Sequence, residues 1–406
     1  MQVYLGIDWS RYKHDAVFMN QEGVAIATLV IEHCPEGFLR LDKARSQLGA
    51  APMECIVGME TAHNLLIDFF WDRGYNQVYV VPPQTVKCNR GRYRQSGARS
   101  DPSDAFVVAD MLRTDRGRLY PWFPDSALIR QMRAKISLTL HLTRSINRFS
   151  NRLRDVLWRY YPAGLEVFSD LTTNIALAFL QAYPTPQEAA QLSFEAFQAF
   201  ARQHRYPQPK RLPRCFAQLQ APQPQPSPDI VLAYNQETLL LAGFLQELVE
   251  AKKKVLREVQ VLFRQHPDHL LFLSLPGTGD LLAPALLAKF GDDRRRFPSP
   301  SGLQALAGTC PVTKTSGKRM VVHFRFACDR EFRYIAQQWA KSSLKSSVWA
   351  NAYLDRVLPH CNSMSHAYRC LANRWIAIGW KLWQSRLPYD EAYHLRQVAL
   401  RRTYRR

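Results

Sequence analysis

The alternation of apolar and polar positions changes period along the chain, from sheet-like at the start to helix-like beyond residue 100. Residues 2–8 (Gln-Val-Tyr-Leu-Gly-Ile-Asp) read as a short buried strand that ends in an acid. A polar break follows at residues 10–13. Residues 14–19 and 24–31 then read as two further strands, with Gln21-Glu22-Gly23 as the turn between them. Three sequential strands of this kind predict an antiparallel meander. Residues 36–48 are helix-like, and residues 55–60 form a buried strand that again ends in an acid, Glu60. Thr61-Ala62-His63-Asn64 opens an apolar helical stretch to Trp71, and residues 78–81 give one more short strand, stopped by Pro82-Pro83. A basic loop with glycines, residues 87–99, leads to Ser100-Asp101-Pro102-Ser103-Asp104-Ala105 and an apolar run to Leu112.

The later chain reads as mainly helical. Residues 127–161 predict a long helix with an apolar stripe (Leu138, Leu142, Ile146, Leu153, Leu157) and arginines around it, and residues 230–265 predict a second. Two such helices form either an antiparallel hairpin or a coiled-coil dimer contact. Between them, residues 162–229 hold shorter helices and a Pro/Gln-rich stretch from Tyr206 to Pro228, expected to be an exposed linker or a partly disordered loop. Leu275-Pro276-Gly277-Thr278-Gly279-Asp280 precedes an apolar helix, residues 281–290. Such a turn either serves as a tight interhelical bend or offers backbone N–H groups to a DNA phosphate, as helix-hairpin-helix elements do. Residues 325–383 are helical and rich in Trp, Tyr and Arg, and a basic tail closes the chain. The expected division is 1–120, 121–269 and 270–406.

Composition narrows the partners. The 406 residues carry 54 Lys and Arg against 34 Asp and Glu, a net charge of +20, which points to a polyanion such as nucleic acid. No apolar run approaches the length of a membrane span, and the N-terminus lacks the regions of a signal peptide, so a cytoplasmic protein without a membrane partner is expected. The eight cysteines show no C-x-x-C pair and read as scattered thiols in a reducing compartment. The local group His360, Cys361, His366 and Cys370 matches no common zinc spacing.

Two readings fit the Asp101 stretch. Asp101 suits a helix N-cap, with Pro102 at the first helical position and Asp104 favoured by the helix dipole. Asp101 and Asp104 also lie three apart on one helix face, where both carboxylates reach one hard cation. Asp8 and Glu60, each where a strand runs out, turn the pair into a constellation of four acids at element ends. The order βββαβαβ followed by the Asp101 helix resembles a ribonuclease H-like domain. Ser316 lies in a Ser-Gly turn among Lys314, Lys318 and Arg319. It reads either as a plain surface turn or as a hydroxyl beside cations that hold a phosphate.

Gly6-Ile7-Asp8, Gly58-Met59-Glu60-Thr61, Ser100 to Ala105 and Leu275 to Gly279 together resemble the DEDD-type insertion-sequence transposases, over residues 1–115 and 270–345. The resemblance implies a RuvC-like, ribonuclease H-like α/β domain, a long-helix coiled-coil middle, and a mainly helical transposase domain with a helix-hairpin-helix-like element. It implies that Asp8, Glu60, Asp101 and Asp104 bind Mg²⁺ or Mn²⁺ and that Ser316, with Thr315 beside it, forms a covalent serine–DNA link. It further implies a recombinase acting on donor and target DNA as a homo-oligomer, a dimer or tetramer, guided by a structured bridge RNA. Arg90, Arg92, Arg94, Arg99, Gly277, Gly279, Lys314, Lys318 and Arg319 are the expected nucleic-acid contacts. The alternatives are a metal-dependent junction nuclease using water, and a non-catalytic RNA- or DNA-binding protein.

Overall fold

The computed structural model describes all residues except Met1, 61–64, 93–100, Tyr120, 223–225, Lys318 and 404–406, together with the side chains of Asp101, Pro102 and 401–403. Within the described residues the chain divides into two compact units, Met1–Pro124 and Asp125–Arg406.

In the first unit the expected meander forms: β1 (Val3–Trp9), β2 (Lys13–Met19) and β3 (Ala25–Glu32) are antiparallel neighbours. β4 (Cys55–Met59) joins β1 in parallel, and β5 (Val78–Val80) joins β4 in parallel, giving the order β3-β2-β1-β4-β5. Parallel pairs need crossovers, supplied by α1 (Pro35–Gln47) and α2 (Leu65–Asp72). The strand alternation divides the sheet into two faces. Leu5, Ile7, Phe18, Val57 and Met59 pack in one core with Phe38 and Leu41 of α1 and Leu66, Ile67 and Phe70 of α2. The opposite face, with Tyr4, Met19 and Ile56, receives Ala109 and Leu112 of α4 (Asp101–Asp115).

One local expectation changes. Pro82-Pro83 ends β5, but Pro83 also opens a helix, α3 (Pro83–Asn89), because its fixed φ and missing donor suit a first helical position. The expected loop from Lys87 is therefore helical to Asn89 and continues as a 3-10 turn, Arg90–Arg92. α3 closes the outer side of α4: Val81 and Val86 meet Val107, Val108 and Met111.

In the second unit α5 (Ala127–Tyr160) is the first long helix. Five short helices follow: α6 (Pro162–Glu166), α7 (Asn174–Ala182), α8 (Pro186–Ala190), α9 (Phe194–Gln203) and α10 (Leu212–Gln220). α11 (Pro228–Gln265) is the second long helix and runs antiparallel to α5. Ile129, Met132, Ile136 and Leu140 share a core with Val259 and Phe263, whereas Leu153, Val156 and Leu157 share another with Leu241, Ala242 and Leu245. The buried stripe is therefore not the expected one throughout: Ile146, Leu153 and Leu157 are buried, but Leu138 is exposed. The Pro/Gln-rich stretch also departs from the linker expectation. Leu212, Cys215 and Leu219, at spacings of three and four, form the buried face of α10.

The remaining elements are α12 (His269–Ser274), α13 (Gly279–Phe290), α14 (Pro300–Leu306), the hairpin β6 (Val312–Ser316) and β7 (Arg319–His323), α15 (Arg330–Ser343), α16 (Val348–Val357), α17 (Met364–Ser385) and α18 (Glu391–Thr403). Trp339, Trp375 and Trp383 are fully buried in their common core with Phe272, Phe290 and Phe332. No described helix is long and apolar enough to cross a membrane.

Candidate active site

The acid cluster is positioned by two glycines. Gly6 and Gly58 are register partners on β1 and β4, and both face α4. A Cβ on Gly6 would lie 2.0 Å from the Ala105 carbonyl oxygen and 2.4 Å from the Ala109 nitrogen, so strand and helix backbones nearly touch there. A Cβ on Gly58 would meet the Val108 and Leu112 side chains at 2.8 Å. Two residues further along each strand the side chains point to the same face. Asp8 lies one residue before the end of β1, and Glu60 directly follows β4. Because Ile7 pairs with Met59, Asp8 and Glu60 are the next positions on neighbouring parallel strands and project toward α4. Tyr4 packs with Ala109 and Leu112, whereas Gly6 approaches Ala105. α4 thus runs antiparallel to β1, with its N-terminus at the Asp8 end.

Asp101 is the first residue of α4, and its side chain lies outside the described residues. Asp104, one turn on, is half-buried and receives Arg90: Nε donates to Oδ1 at 2.5 Å, and Nη2 donates to Oδ2. The hydrogen bond to Asp104 outweighs the cost of burial and holds the Arg90 guanidinium above its ordinary pKa, and the charges of Asp104, Glu60 and Asp8 add to this. Three of the four expected acids therefore act on a single cation. That the donor set gathers a guanidinium fits it to bind a compact dication as well, since carboxylate oxygens are the ligands that hard cations take.

Sequence reasoning did not single out Asp15. It is the register partner of Asp8 on β2 and is buried on the α4 face. A buried acid directly opposite a candidate ligand was legible as strand parity once the meander register was set. On the far face His14 is enclosed by Trp9, His33 and Phe38, with its Nε2 2.8 Å from His33 Nδ1. Burial, with the His33 charge second, lowers its pKa to about 4.

The expected nucleic-acid contacts divide. Arg90 is engaged by the acids. Arg92 pairs with Asp115 at 2.9 Å, at the other end of α4. It borders a cavity of about 600 Å³ with Asn89, Met111 and Arg118. Arg94, Arg99 and Lys318 lie outside the described residues. Gly277 adopts φ +73°, and a Cβ there would lie 2.5 Å from the Ser342 carbonyl carbon, so its turn packs on the end of α15. Gly279, at φ +52°, is exposed at the start of α13 with open space around it.

Ser316 ends β6 and pairs with Arg319, closing a hairpin whose two-residue loop begins at Gly317, φ +55°. A positive φ at the first loop position suits such short connections. Ser316, Lys314, Thr315 and Arg319 are all exposed. The hairpin is anchored at its base. Arg325 Nε donates to the Cys310 carbonyl at 3.2 Å, and the Arg333 guanidinium lies 4.5 Å from the Phe324 ring centre.

Acids where adjacent parallel strands of a mixed sheet end, facing the first turn of a helix, fit the ribonuclease H-like domain of a DNA-cleaving and rejoining transposase. Comparison with known proteins agrees. Residues 5–162 match the transposase family DEDD_Tnp_IS110, and residues 269–355 match the transposase family IS116/IS110/IS902. The chain is 30% identical over 401 residues to the "Mini-circle putative transposase for IS117" of Streptomyces coelicolor, covering 96% of each chain. It is 24% identical over 403 residues to the insertion element IS900 uncharacterized 42 kDa protein of Mycobacterium paratuberculosis, covering 96% of this chain and 98% of that one. Over 312 residues it is 23% identical to the insertion element IS110 uncharacterized 43.6 kDa protein of Streptomyces coelicolor, with 72% of this chain and 73% of that one covered. The protein belongs to the IS110 family of insertion-sequence transposases. DEDD-type domains of this kind generally work with divalent metal ions.

Proposed function

We propose that this transposase inserts and excises its element through a covalent serine–DNA intermediate, with a divalent cation held by Asp8, Glu60, Asp101 and Asp104 and a structured bridge RNA selecting the sites. The observation that carries the metal reading is the registered placement of Asp8 and Glu60 facing the start of α4, with Arg90 drawn to the acids gathered there. A bound Mg²⁺ or Mn²⁺ would neutralise phosphate charge and polarise the scissile P–O bond. The four acids hold and orient that charge, while Lys314, Lys318 and Arg319 bind the phosphate beside the hydroxyl.

The serine does the bond exchange. Ser316 Oγ forms a bond to phosphorus as the bond to the departing strand oxygen breaks. The hydroxyl proton leaves, and the departing oxygen takes one up. A strand hydroxyl then attacks the phosphoserine, reseals the DNA and returns the serine. The phosphodiester energy is conserved, so no high-energy cofactor is required.

The net charge of +20 supports nucleic-acid binding, and exposed Arg144, Arg148, Arg154 and Arg159 line α5. The open N-terminus of α13 at Gly279 is proposed as a DNA phosphate contact in a helix-hairpin-helix-like element. RNA guidance rests on the family resemblance, and a homo-oligomer, dimer or tetramer, is proposed with it.

The test mixes protein, the noncoding RNA flanking its gene, donor DNA, target DNA and Mg²⁺. A protein–DNA adduct that needs RNA and Mg²⁺ and disappears in Ser316→Ala is expected. Cleavage to free 5′-phosphate ends by Ser316→Ala would replace the serine reading with hydrolysis by water.

A further inference from the structure

The sequence spacing of Cys361, His366 and Cys370 suggests no zinc motif, but folding brings the three together. Cys361 follows a 3-10 turn, Leu358–His360. Ser363 caps α17 by accepting from the His366 nitrogen at 3.2 Å, which turns the chain so that Cys361 comes back beside the helix. His366 and Cys370 are four apart on α17 and so share one face. One donor atom from each residue, two sulfurs and one imidazole nitrogen, lies within 4.8 Å of the other two, and all three side chains are half-buried. The two thiols are within hydrogen-bond reach of each other.

We infer that Cys361, His366 and Cys370 form a binding site for a thiolate-seeking transition-metal dication, most simply Zn²⁺. Tetrahedral zinc with bonds of about 2.3 Å to sulfur and about 2.0 Å to nitrogen sets its ligand atoms roughly 3.5–3.8 Å apart. The observed separations, within 4.8 Å, exceed that range by no more than about 1.3 Å. Two thiolates and a neutral imidazole balance the charge of the ion, and two protons leave as it binds. Three protein donors leave the fourth position to water. Carboxylates are not in the set, so hard cations such as Mg²⁺ are disfavoured there. The remaining cysteines offer no comparable group among the described residues. Cys55 and Cys215 are buried in separate cores, and Cys34 caps α1.

The ion would brace the hairpin that carries Ser316. Arg369, beside Cys370, places its guanidinium 4.8 Å from the centre of the Phe324 ring. Phe324 directly follows β7. Fixing Cys361 to the first two turns of α17 therefore fixes the surface against which the hairpin's exit segment rests. This inference is independent of the proposed serine chemistry, since a structural ion holds the fold whatever the hairpin does.

The experiment uses the full chain, purified with reductant, stripped of metal and titrated with Co²⁺. One equivalent per chain should produce the intense near-ultraviolet thiolate-to-cobalt band and the visible bands of a tetrahedral ion, both displaced by Zn²⁺. Cys370→Ser should lose these bands, whereas Cys88→Ser, an exposed cysteine outside the group, should keep them. Should Cys370→Ser fail to fold, alkylation of the wild-type chain decides: Zn²⁺ should protect Cys361 and Cys370 from iodoacetamide while Cys88 reacts. A wild-type titration without the thiolate band overturns the inference. So does equal alkylation of Cys361 and Cys370 with and without Zn²⁺, or a Cys361–Cys370 disulfide that persists in reductant.

Discussion

Arg90 grips Asp104 with two parallel hydrogen bonds, and its charge is shared with Glu60 and Asp8. The guanidinium thus occupies the electrostatic position that a catalytic cation would share. Arg90 and a divalent ion should therefore compete for the same carboxylates. Arg90→Ala is expected to tighten Mn²⁺ binding roughly three- to tenfold, as loss of a partly exposed ion pair allows. Asp104→Asn should weaken Mn²⁺ binding by about 100-fold or more, equivalent to about 2.7 kcal/mol. Electron paramagnetic resonance of free Mn²⁺ measures both. Weaker Mn²⁺ binding in Arg90→Ala would show instead that the arginine supports the metal site.

Gly6 fixes how near α4 comes to β1. The obstruction to a side chain there is backbone on both counts, the Ala105 oxygen and the Ala109 nitrogen, so no rotamer change relieves it. Gly6→Ala is expected to cost about 3 kcal/mol or more, at the upper end for overpacking. Gly58→Ala meets flexible Val108 and Leu112 side chains and should cost about 1 kcal/mol. Chemical denaturation of the two variants compares them directly. Equal stabilities would remove the close approach as the reason for glycine at position 6.

The first unit was readable because each strand is short, largely apolar and closed by turn residues, and because Asp8 and Glu60 interrupt the pattern where β1 and β4 end; Asp15, inside β2, was the acid this pattern passed over. The Arg90 turn was not readable, since the helix that aims it begins at a proline pair that also ends β5. The α10 face was missed because glutamines and prolines dominate a stretch in which the helix itself buries only Leu212, Cys215 and Leu219. The Ser316 hairpin lacks an apolar alternation, and all but two of its strand residues are exposed, so no hydrophobic period announced it. Cys361, His366 and Cys370 are brought together by a capped turn that ligand spacing does not encode.

His14 is buried uncharged, and its pKa is lowered from an ordinary 6.5 to about 4. In the unfolded chain it takes up a proton as pH falls through 6.5, whereas in the fold it stays neutral until about 4. The unfolded state thus binds more protons in this window, and stability must fall with falling pH. At about 1.4 kcal/mol per pH unit the contribution amounts to roughly 3 kcal/mol. It is fully present above pH 6.5 and lost progressively toward pH 4. Denaturant midpoints across this range should drop more for the wild-type chain than for His14→Phe. Parallel pH profiles would place the acid sensitivity elsewhere.

Gly277 and Gly279 both have positive φ, yet they answer to different demands. At Gly277 a Cβ would strike the Ser342 carbonyl carbon and the Ser343 nitrogen, at 2.5 and 2.6 Å. Pro276 beside it accepts a hydrogen bond from the Trp339 indole at 3.1 Å. This turn is therefore locked to α15, and Gly277→Ala should destabilise the second unit by about 3 kcal/mol, combining backbone strain with overpacking. At Gly279 only the conformational cost applies, about 1 kcal/mol, because the space around it is open. The open position is also the one a phosphate can reach. Gly279→Ala should therefore reduce DNA affinity several-fold at a stability cost of only about 1 kcal/mol, with the chain still folded, whereas Gly277→Ala should lose affinity only as it unfolds. Anisotropy titrations with labelled DNA, paired with melting curves, separate the two. Undiminished DNA affinity in Gly279→Ala would take the start of α13 out of the DNA interface and leave both glycines to the turn.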